Sequence, residues 1–267
     1  MQETFIELVP HSAESLQKDI RQVQSMDIEF HGFNFPELKR KKTSFLTPEQ
    51  MMALRSQGNL AEDKKLALHL RTQERNVAGN IERIRLCASQ GVDIALLVTG
   101  DAFDAKLSSV TCSHDVLEGM EHPMENIEIA VGADLYHQHW GRWSNKISAI
   151  RNKIVGSVFT QPIFLPETLL ALQSKTTGLP PEKVYAGITW VTNAKSRDYW
   201  HEMNQVPLTH LPSGESDQVI RRNSIAQSSE ILQMAKQQGL SQYVMLMKGT
   251  LDDLEMIFSL SEKSRAH

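Results

Sequence analysis

The chain has 267 residues, a formal charge of −4 and a pI near 6.2, with 40% hydrophobic and 22% charged residues. That profile fits a globular protein in water and excludes a disordered, collagen-like or strongly basic nucleic-acid-binding chain. Its two cysteines, Cys87 and Cys112, exclude a disulfide scaffold and a zinc site of several thiolates.

Short apolar runs, each followed by a helical pattern, recur along the chain. The first run is Thr4 to Val9. A helix follows from Ser12, a natural N-cap, to Gln22, with Leu16, Ile20 and Val23 near one face. The second run is Asp27 to Phe33. Residues 36–64 are less regular. They hold the basic run Lys39-Arg40-Lys41-Lys42, read as solvated surface, and a helix start at Thr47-Pro48-Glu49. The third run is Lys65 to Leu70, followed by a helix from Asn76 to Gln90 that Gly91 ends. The fourth, Ile94 to Val98, is the most hydrophobic, and the fifth is Ile127 to Val131. A helix is expected over Trp143 to Ile154, then a sixth run from Val155 to Thr160 and a helix opening at Pro166. The seventh run is Val184 to Val191. Helices over Lys195–Met203 and Ser224–Gln237 follow, the latter stopped by Gly239, and the eighth run is Tyr243 to Met247.

Near-continuous apolar strands alternating with helices argue for a parallel α/β sheet covered on both faces. With no linker and no repeat, the pattern predicts a single (β/α)8 TIM barrel over 1–267. An open doubly wound sheet is the competing arrangement, although no GxGxxG follows the first strand. No apolar run reaches the roughly 20 residues needed to span a bilayer, and Met1 to Pro10 has no leader pattern, so no membrane contact and a cytoplasmic location are expected.

A parallel barrel builds its site at the carboxyl ends of its strands. The polar residues there are Glu7, His69, Thr99-Gly100-Asp101, Gly132, Thr160-Gln161, Thr192-Asn193 and Lys248-Gly249. Each also has an ordinary reading. Glu7 alternates with Phe5 as a solvent-facing residue would. His69 suits a hydrogen-bonded core, Asp101 a turn, and Gln161 a satisfied strand-end amide. A carboxyl placed inside a barrel mouth suits general-acid work, because desolvation favours its protonated form.

Ile6-Glu7-Leu8-Val9-Pro10, His69-Leu70, Gly100-Asp101, Asn152-Lys153, Gly156, Thr160-Gln161-Pro162-Ile163-Phe164, Ala186-Gly187-Ile188 and Val191-Thr192-Asn193 together resemble the methylenetetrahydrofolate reductase family in order and spacing. Val206-Pro207 and Asn223-Ser224-Ile225-Ala226 extend the likeness, which covers almost the whole chain. The resemblance implies a barrel that binds FAD and a folate at its carboxyl rim and takes reducing equivalents from NAD(P)H. Glu7 would protonate the folate nitrogen, opening methylenetetrahydrofolate to an iminium. Asp101 would hold the pterin and adjust the flavin, and Gln161 would hydrogen-bond the pterin. Asn193 and Lys248 are further substrate-binding candidates. His69, Gly100, Ala130 and Lys153 match flavin-contacting positions.

The chain also departs from that family. Gly132-Ala133 replaces a Tyr-Pro pair, Thr99 an arginine before Gly-Asp, and Ala194 an aromatic that stacks on folate. Lys146 and Ala149 stand for acidic and amide residues, and Thr250 for an arginine, with Lys248 nearby. Tyr136, Trp140, Arg142 and Trp143 could rebuild a planar-ligand wall or simply pack. Two other functions follow: a flavin-free tetrahydrofolate-dependent methyl or one-carbon transferase, and a non-catalytic accessory barrel subunit. A homo-oligomer is open. His137 and His139, with Asp134, His114 and Cys112, lack diagnostic metal spacing, so no metal is expected.

Overall fold

The structure, a computed structural model, describes residues 1–38, 45–100, 110, 112–136, 154–176, 179–203, 205–206, 208, 210–211, 213–247 and 250–263. Eight parallel strands close into a barrel in chain order, β8 pairing with β1. They are β1 (Thr4–Glu7), β2 (Gly32–Phe35), β3 (Lys65–Arg71), β4 (Ile94–Val98), β5 (Glu128–Ala133), β6 (Ser157–Ile163), β7 (Val184–Ile188) and β8 (Ser241–Met245). The helices are α1 (Ala13–Gln24), α2 (Pro48–Ser56), α3 (Val77–Ser89), α4 (Ser113–Glu118), α5 (Pro166–Lys175), α6 (Ala194–Asp198), α7 (Asp217–Gln237) and α8 (Leu254–Lys263). This is the (β/α)8 barrel read from the sequence, not the open sheet. Among the described residues no helix is long and apolar enough to cross a membrane.

Among the strands the largest displacement from expectation is β2, which begins at Gly32 and not at Asp27; helix α7 begins at Asp217, seven residues before the expected Ser224. Phe33 and Phe35 enter the core between strands and helices, so Gly32 and Asn34 alternate to the barrel's inner side. A Cβ at Gly32 would lie 2.6 Å from the Phe5 ring, so only glycine fits there. Pro36 then ends the pairing because it offers no N–H. The helix expected over 195–203 splits into α6 and a π-helical turn, Tyr199–Met203. The helix expected over 143–154 lies outside the described residues except for Ile154.

The inner barrel is filled by Phe5, Ala67, Ile94, Leu96, Ala130, Phe159, Tyr185 and Tyr243. Phe159 stacks on Tyr185 at 4.2 Å between ring centroids, and Phe5 meets Tyr185 edge-on at 5.6 Å. Strand β6 carries the one irregularity that shapes the upper end. Its register slips between Phe159, opposite Tyr185, and Pro162, opposite Gly187, so β6 holds one extra residue. Pro162 has no N–H to give, and the slip breaks the ladder. Local side chains repair it. The Gly187 N–H donates to Thr160 Oγ1 at 2.9 Å, and the Tyr243 hydroxyl donates to the Thr160 carbonyl. Burial, with the Glu7 charge second, raises the Tyr243 pKa well above the ordinary tyrosine range, so this donor stays protonated. Gly187 makes room for it, since a Cβ there would lie 2.6 Å from the Tyr243 oxygen.

The lower end is closed by matched charges. Glu3 pairs with Lys65 and accepts the Tyr185 hydroxyl at 2.6 Å, and Glu128 pairs with Lys183. Beyond β7, helix α7 satisfies the exiting backbone. Ser224 Oγ accepts the Val191 N–H at 2.9 Å, and Ser228 donates to the Thr189 carbonyl at 2.7 Å.

Two outcomes follow. Tyr243→Phe leaves a buried carbonyl unsatisfied and lowers unfolding free energy by about 1–3 kcal/mol. Gly187→Ala costs about 1–3 kcal/mol by overpacking against the same ring. Because both act on that hydroxyl, the double variant loses less than the two losses added, as denaturant titrations of all three variants would show.

Glu3 supplies the pH dependence. Burial alone would raise its pKa, but the Lys65 and Tyr185 hydrogen bonds outweigh it and hold the carboxyl below its ordinary 4.5. A depressed folded value means the stabilisation is present above 4.5 and is lost as pH falls through the folded value. The melting-temperature gap between wild type and Glu3→Gln is therefore expected to be largest near neutrality and to close in acid.

Candidate functional site

The inward alternation that places Phe5 in the barrel interior places Glu7 one step higher, at the carboxyl end of β1. The same step on β2 gives Asn34 and on β3 gives His69. Register puts Glu7 beside Asn34 on β2 and beside Met245 on β8. Asn34 Nδ2 donates to Glu7 Oε2 at 2.6 Å, and His69 Nε2 lies 3.4 Å from the same oxygen. Glu7 is only 4% exposed and Asn34 fully buried, while the His69 side chain keeps 16% exposure. A buried carboxyl is thus flanked by a neutral amide and an imidazole, with no lysine or arginine partner among the described residues.

Asn34 was missed in the sequence because the second strand was expected to stop at Phe33. Its signal was a lone amide between two phenylalanines, immediately before the proline that ends β2.

Gln161 sits in the extra-residue segment of β6, at the same end of the barrel. Its Oε1 is buried and unpartnered, as are Asn34 Oδ1 and His69 Nε2. Such atoms cost folding free energy and point to a ligand or a function. Among the described residues no hydrogen bond joins Gln161 to the Glu7, Asn34 and His69 group.

The other expected residues fare differently. Gly100 has φ +105, a backbone conformation that favours glycine, and its Cβ position faces the Arg71 guanidinium at 3.3 Å. Ala130 is packed fully into the barrel interior. Asn193 caps α6, accepting the Ser196 N–H at 2.8 Å and donating to Thr192 Oγ1 at 3.1 Å. Thr99, standing for an arginine, accepts the Ser113 N–H that opens α4 at 3.4 Å. Asp101, Lys153 and Lys248 lie outside the described residues, as do Trp140, Arg142, Trp143, Lys146, Ala149, His137 and His139.

Tyr136 is not a free wall. Its hydroxyl donates to the Pro162 carbonyl at 2.8 Å and accepts the Phe164 N–H at 3.3 Å, and burial raises its pKa above the usual tyrosine value. The ring packs against a cluster at the carboxyl end of the barrel formed by Phe164, Val191, Trp200, Val206, Leu208, Leu211 and Ile220. Among the described residues no group of three or more His, Cys, Asp or Glu is arranged to hold a metal, and His114 is paired with Glu118 at 3.1 Å.

The fit to a flavin is poor on this geometry. Of the flavin-matched positions that are described, Ala130 has no exposed surface, Gly100 faces Arg71, and His69 is set against Glu7. What β4 and β5 do offer is an apolar shelf: a Cβ on Gly132 would meet only Val98, at 4.0 Å. Unpartnered polar atoms of Asn34, His69 and Gln161 stand toward the carboxyl ends of β2, β3 and β6, where a small heterocycle with several hydrogen-bonding groups would meet them.

No family model matches the chain, and no curated protein matches its sequence. Solved structures share its fold. A Clostridium thermocellum protein that binds two copies of 5-methyl-5,6,7,8-tetrahydrofolic acid superposes with a TM-score of 0.64 at 12% identity, over 99% of this chain and 95% of that one. A dihydropteroate synthetase solved with a product gives 0.53 at 10%, over 100% and 95%. The aldose reductase of Schistosoma japonicum gives 0.54 at 12%, over 97% and 83%.

Gln161→Met removes an unpaired buried acceptor at nearly constant volume. It is expected to raise unfolding free energy by about 1 kcal/mol. A denaturant titration that finds Gln161→Met less stable than wild type would show that the amide is structurally satisfied and not held for a ligand.

Proposed function

We propose that the barrel mouth binds the reduced pterin of a tetrahydrofolate and that Glu7 gives the proton for one-carbon chemistry at a pterin-side nitrogen. The observation that carries this reading is the buried Glu7 carboxyl held by Asn34 Nδ2 at 2.6 Å, at the carboxyl end of the barrel. Asn34, His69 and Gln161 offer further polar atoms with no protein partner there. The ligands of two fold neighbours, a methyltetrahydrofolate and a pteroate-synthesis product, support it as well. The aldose reductase neighbour is a reminder that this barrel hosts unrelated chemistries, so the argument rests on the site.

The reaction follows from the acid. On 5,10-methylenetetrahydrofolate, proton transfer from Glu7 to a bridge nitrogen breaks the C–N bond, opens the five-membered ring and leaves an iminium carbon able to accept hydride. That is the methylenetetrahydrofolate reductase reading, with NAD(P)H as the source of reducing equivalents. Asp101 and Gln161 would orient the pterin, with Asn193 and Lys248 at the rim. On 5-methyltetrahydrofolate the same proton would neutralise the nitrogen that loses its methyl group to an acceptor. The packed Ala130 and the pinned Tyr136 favour this flavin-free transfer as the second reading, since neither is free to line a flavin bed. Both reactions share the proton step. Positioned acids of this kind contribute about 10²–10⁴-fold to rate.

The test is a titration of tetrahydrofolate, 5,10-methylenetetrahydrofolate and 5-methyltetrahydrofolate against the purified chain, with its absorption spectrum recorded first. Glu7→Gln keeps the Asn34 hydrogen bond and is expected to bind folate within about threefold of wild type while turnover falls at least about 10²-fold. Flavin absorbance with NAD(P)H oxidation would select the reductase; folate binding by colourless protein would select the transferase. Wild-type protein with no affinity for any of the three folates would end both.

A further inference from the structure

We propose that His69 returns the proton to Glu7 after each turnover, with Asn34 holding the carboxyl in place for the exchange; the proposal rests on the function proposed above. Glu7 is almost sealed from water, so a carboxylate left behind after proton donation needs a route for reloading. The geometry supplies one. His69 Nε2 stands 3.4 Å from Glu7 Oε2 and has no hydrogen-bond partner, although it is buried. The His69 side chain retains 16% exposure, and its Nδ1 has no partner among the described residues. A ring with one nitrogen against a buried carboxyl and the other unengaged can take a proton at Nδ1 and release one from Nε2. Histidine is the side chain suited to this near neutral pH.

Asn34 does a separate task. Its amide donates to Oε2 and so fixes the carboxyl's torsion and distance from His69. The other oxygen, Oε1, has no partner among the described residues and is the one left for a ligand. A half-turn of the carboxyl exchanges the two oxygens, and Asn34 can donate to either.

The proton balance closes without a redox partner. The Glu7 O–H bond breaks as an N–H bond forms on the ligand, leaving a carboxylate. The Nε2–H bond of a His69 imidazolium breaks as an O–H bond forms on Oε2, leaving neutral imidazole with its proton on Nδ1. That ring regains its charge by taking a proton from water, so each turnover consumes one solvent proton. Among the described residues, Tyr243 on β8 feels the Glu7 charge and stays protonated, with Tyr136 beyond it; β2 contributes the neutral Asn34, and on β3 Arg71, the next inward position after His69, pairs with Glu74 at 3.3 Å.

The experiment uses the full chain and two readouts. NMR of isotopically labelled histidine in the ligand-free protein is expected to show the His69 Nε2 signal move in Glu7→Gln, because the carboxyl group it faces is replaced by an amide that cannot exchange a proton with it. In turnover of 5,10-methylenetetrahydrofolate, His69→Ala is expected to lose about tenfold or more in kcat with KM within about threefold. Added imidazole should restore part of that loss. His69→Gln, which fills the space but carries no proton, should share the loss. An Nε2 signal indifferent to Glu7→Gln, or a kcat loss that imidazole does not restore, overturns the proposal, since a purely structural histidine gives both. If wild type binds no reduced folate, the proposed function falls and this proposal falls with it. If His69→Ala binds folate normally and imidazole changes nothing, only the proton-return role falls.

Discussion

Closure of eight strands into a narrow cylinder is the constraint from which the site follows. Once the sheet has no edge, every second side chain of each strand must enter a space that water does not fill, and whatever stands there is packed or paired. Phe5, Ala67, Leu96, Ala130, Phe159, Tyr185 and Tyr243 are packed. One step higher the same alternation brings in Glu7, Asn34 and His69, and here apolar filling stops. The contrast with the lower end is one of charge. There Glu3 faces Lys65 and Glu128 faces Lys183. At the upper end Glu7 faces an amide and an imidazole, neither of which carries a permanent charge. A buried carboxyl without a cationic partner is poor for stability, and a fold that keeps one marks it as a candidate functional group.

The geometry of that end depends on how the β6 register slip is absorbed. Pro162 cannot donate, and an extra residue displaces the ladder by one position. Three residues from three strands repair the break: the Thr160 hydroxyl, the Tyr243 phenol and the space Gly187 leaves for it. The slip is also what sets Gln161 at the top of β6 in a short unladdered stretch, where its carbonyl oxygen is buried with nothing to bind. Proline on β6, glycine on β7 and tyrosine on β8 act here as one device, and the Gln161 amide stands on a strand and not on a flexible loop.

Much of this was legible in the sequence. Each of the eight runs overlaps a strand, the second only at Gly32-Phe33, because buried parallel strands need near-continuous apolar residues. Glu7 and His69 were readable as polar intrusions near strand ends, and the structure places them 3.4 Å apart. The second strand was misplaced because Asp27-Ile28-Glu29-Phe30 alternates as well as Gly32-Phe33-Asn34-Phe35. At Gly32 the Phe5 ring and the Lys65 carbonyl approach too closely for any side chain, a contact between residues far apart in sequence that no local pattern announces. That error hid Asn34. Helix α8 carried its signal openly in Leu254, Ile257 and Phe258, all buried, at helical spacing. It was passed over because the count of strand-and-helix units ended at the eighth strand. The roles of Thr160 and Tyr243 were out of reach, since they exist only because of a register slip that no local pattern announces.

The same reasoning bears on cofactor choice. A flavin needs a broad planar bed with polar atoms along one edge; two of the positions matched to it are an alanine consumed by interior packing and a glycine set against Arg71. A pterin is smaller and dense in donors and acceptors, and the mouth's unpartnered polar atoms match that density better than the apolar shelf of Val98 and Gly132 matches a flavin edge. In the function proposed above, Glu7 with His69 behind it would deliver and recover a proton at a nitrogen of the bound heterocycle, and hydride acceptance by a flavin would make no use of that pair.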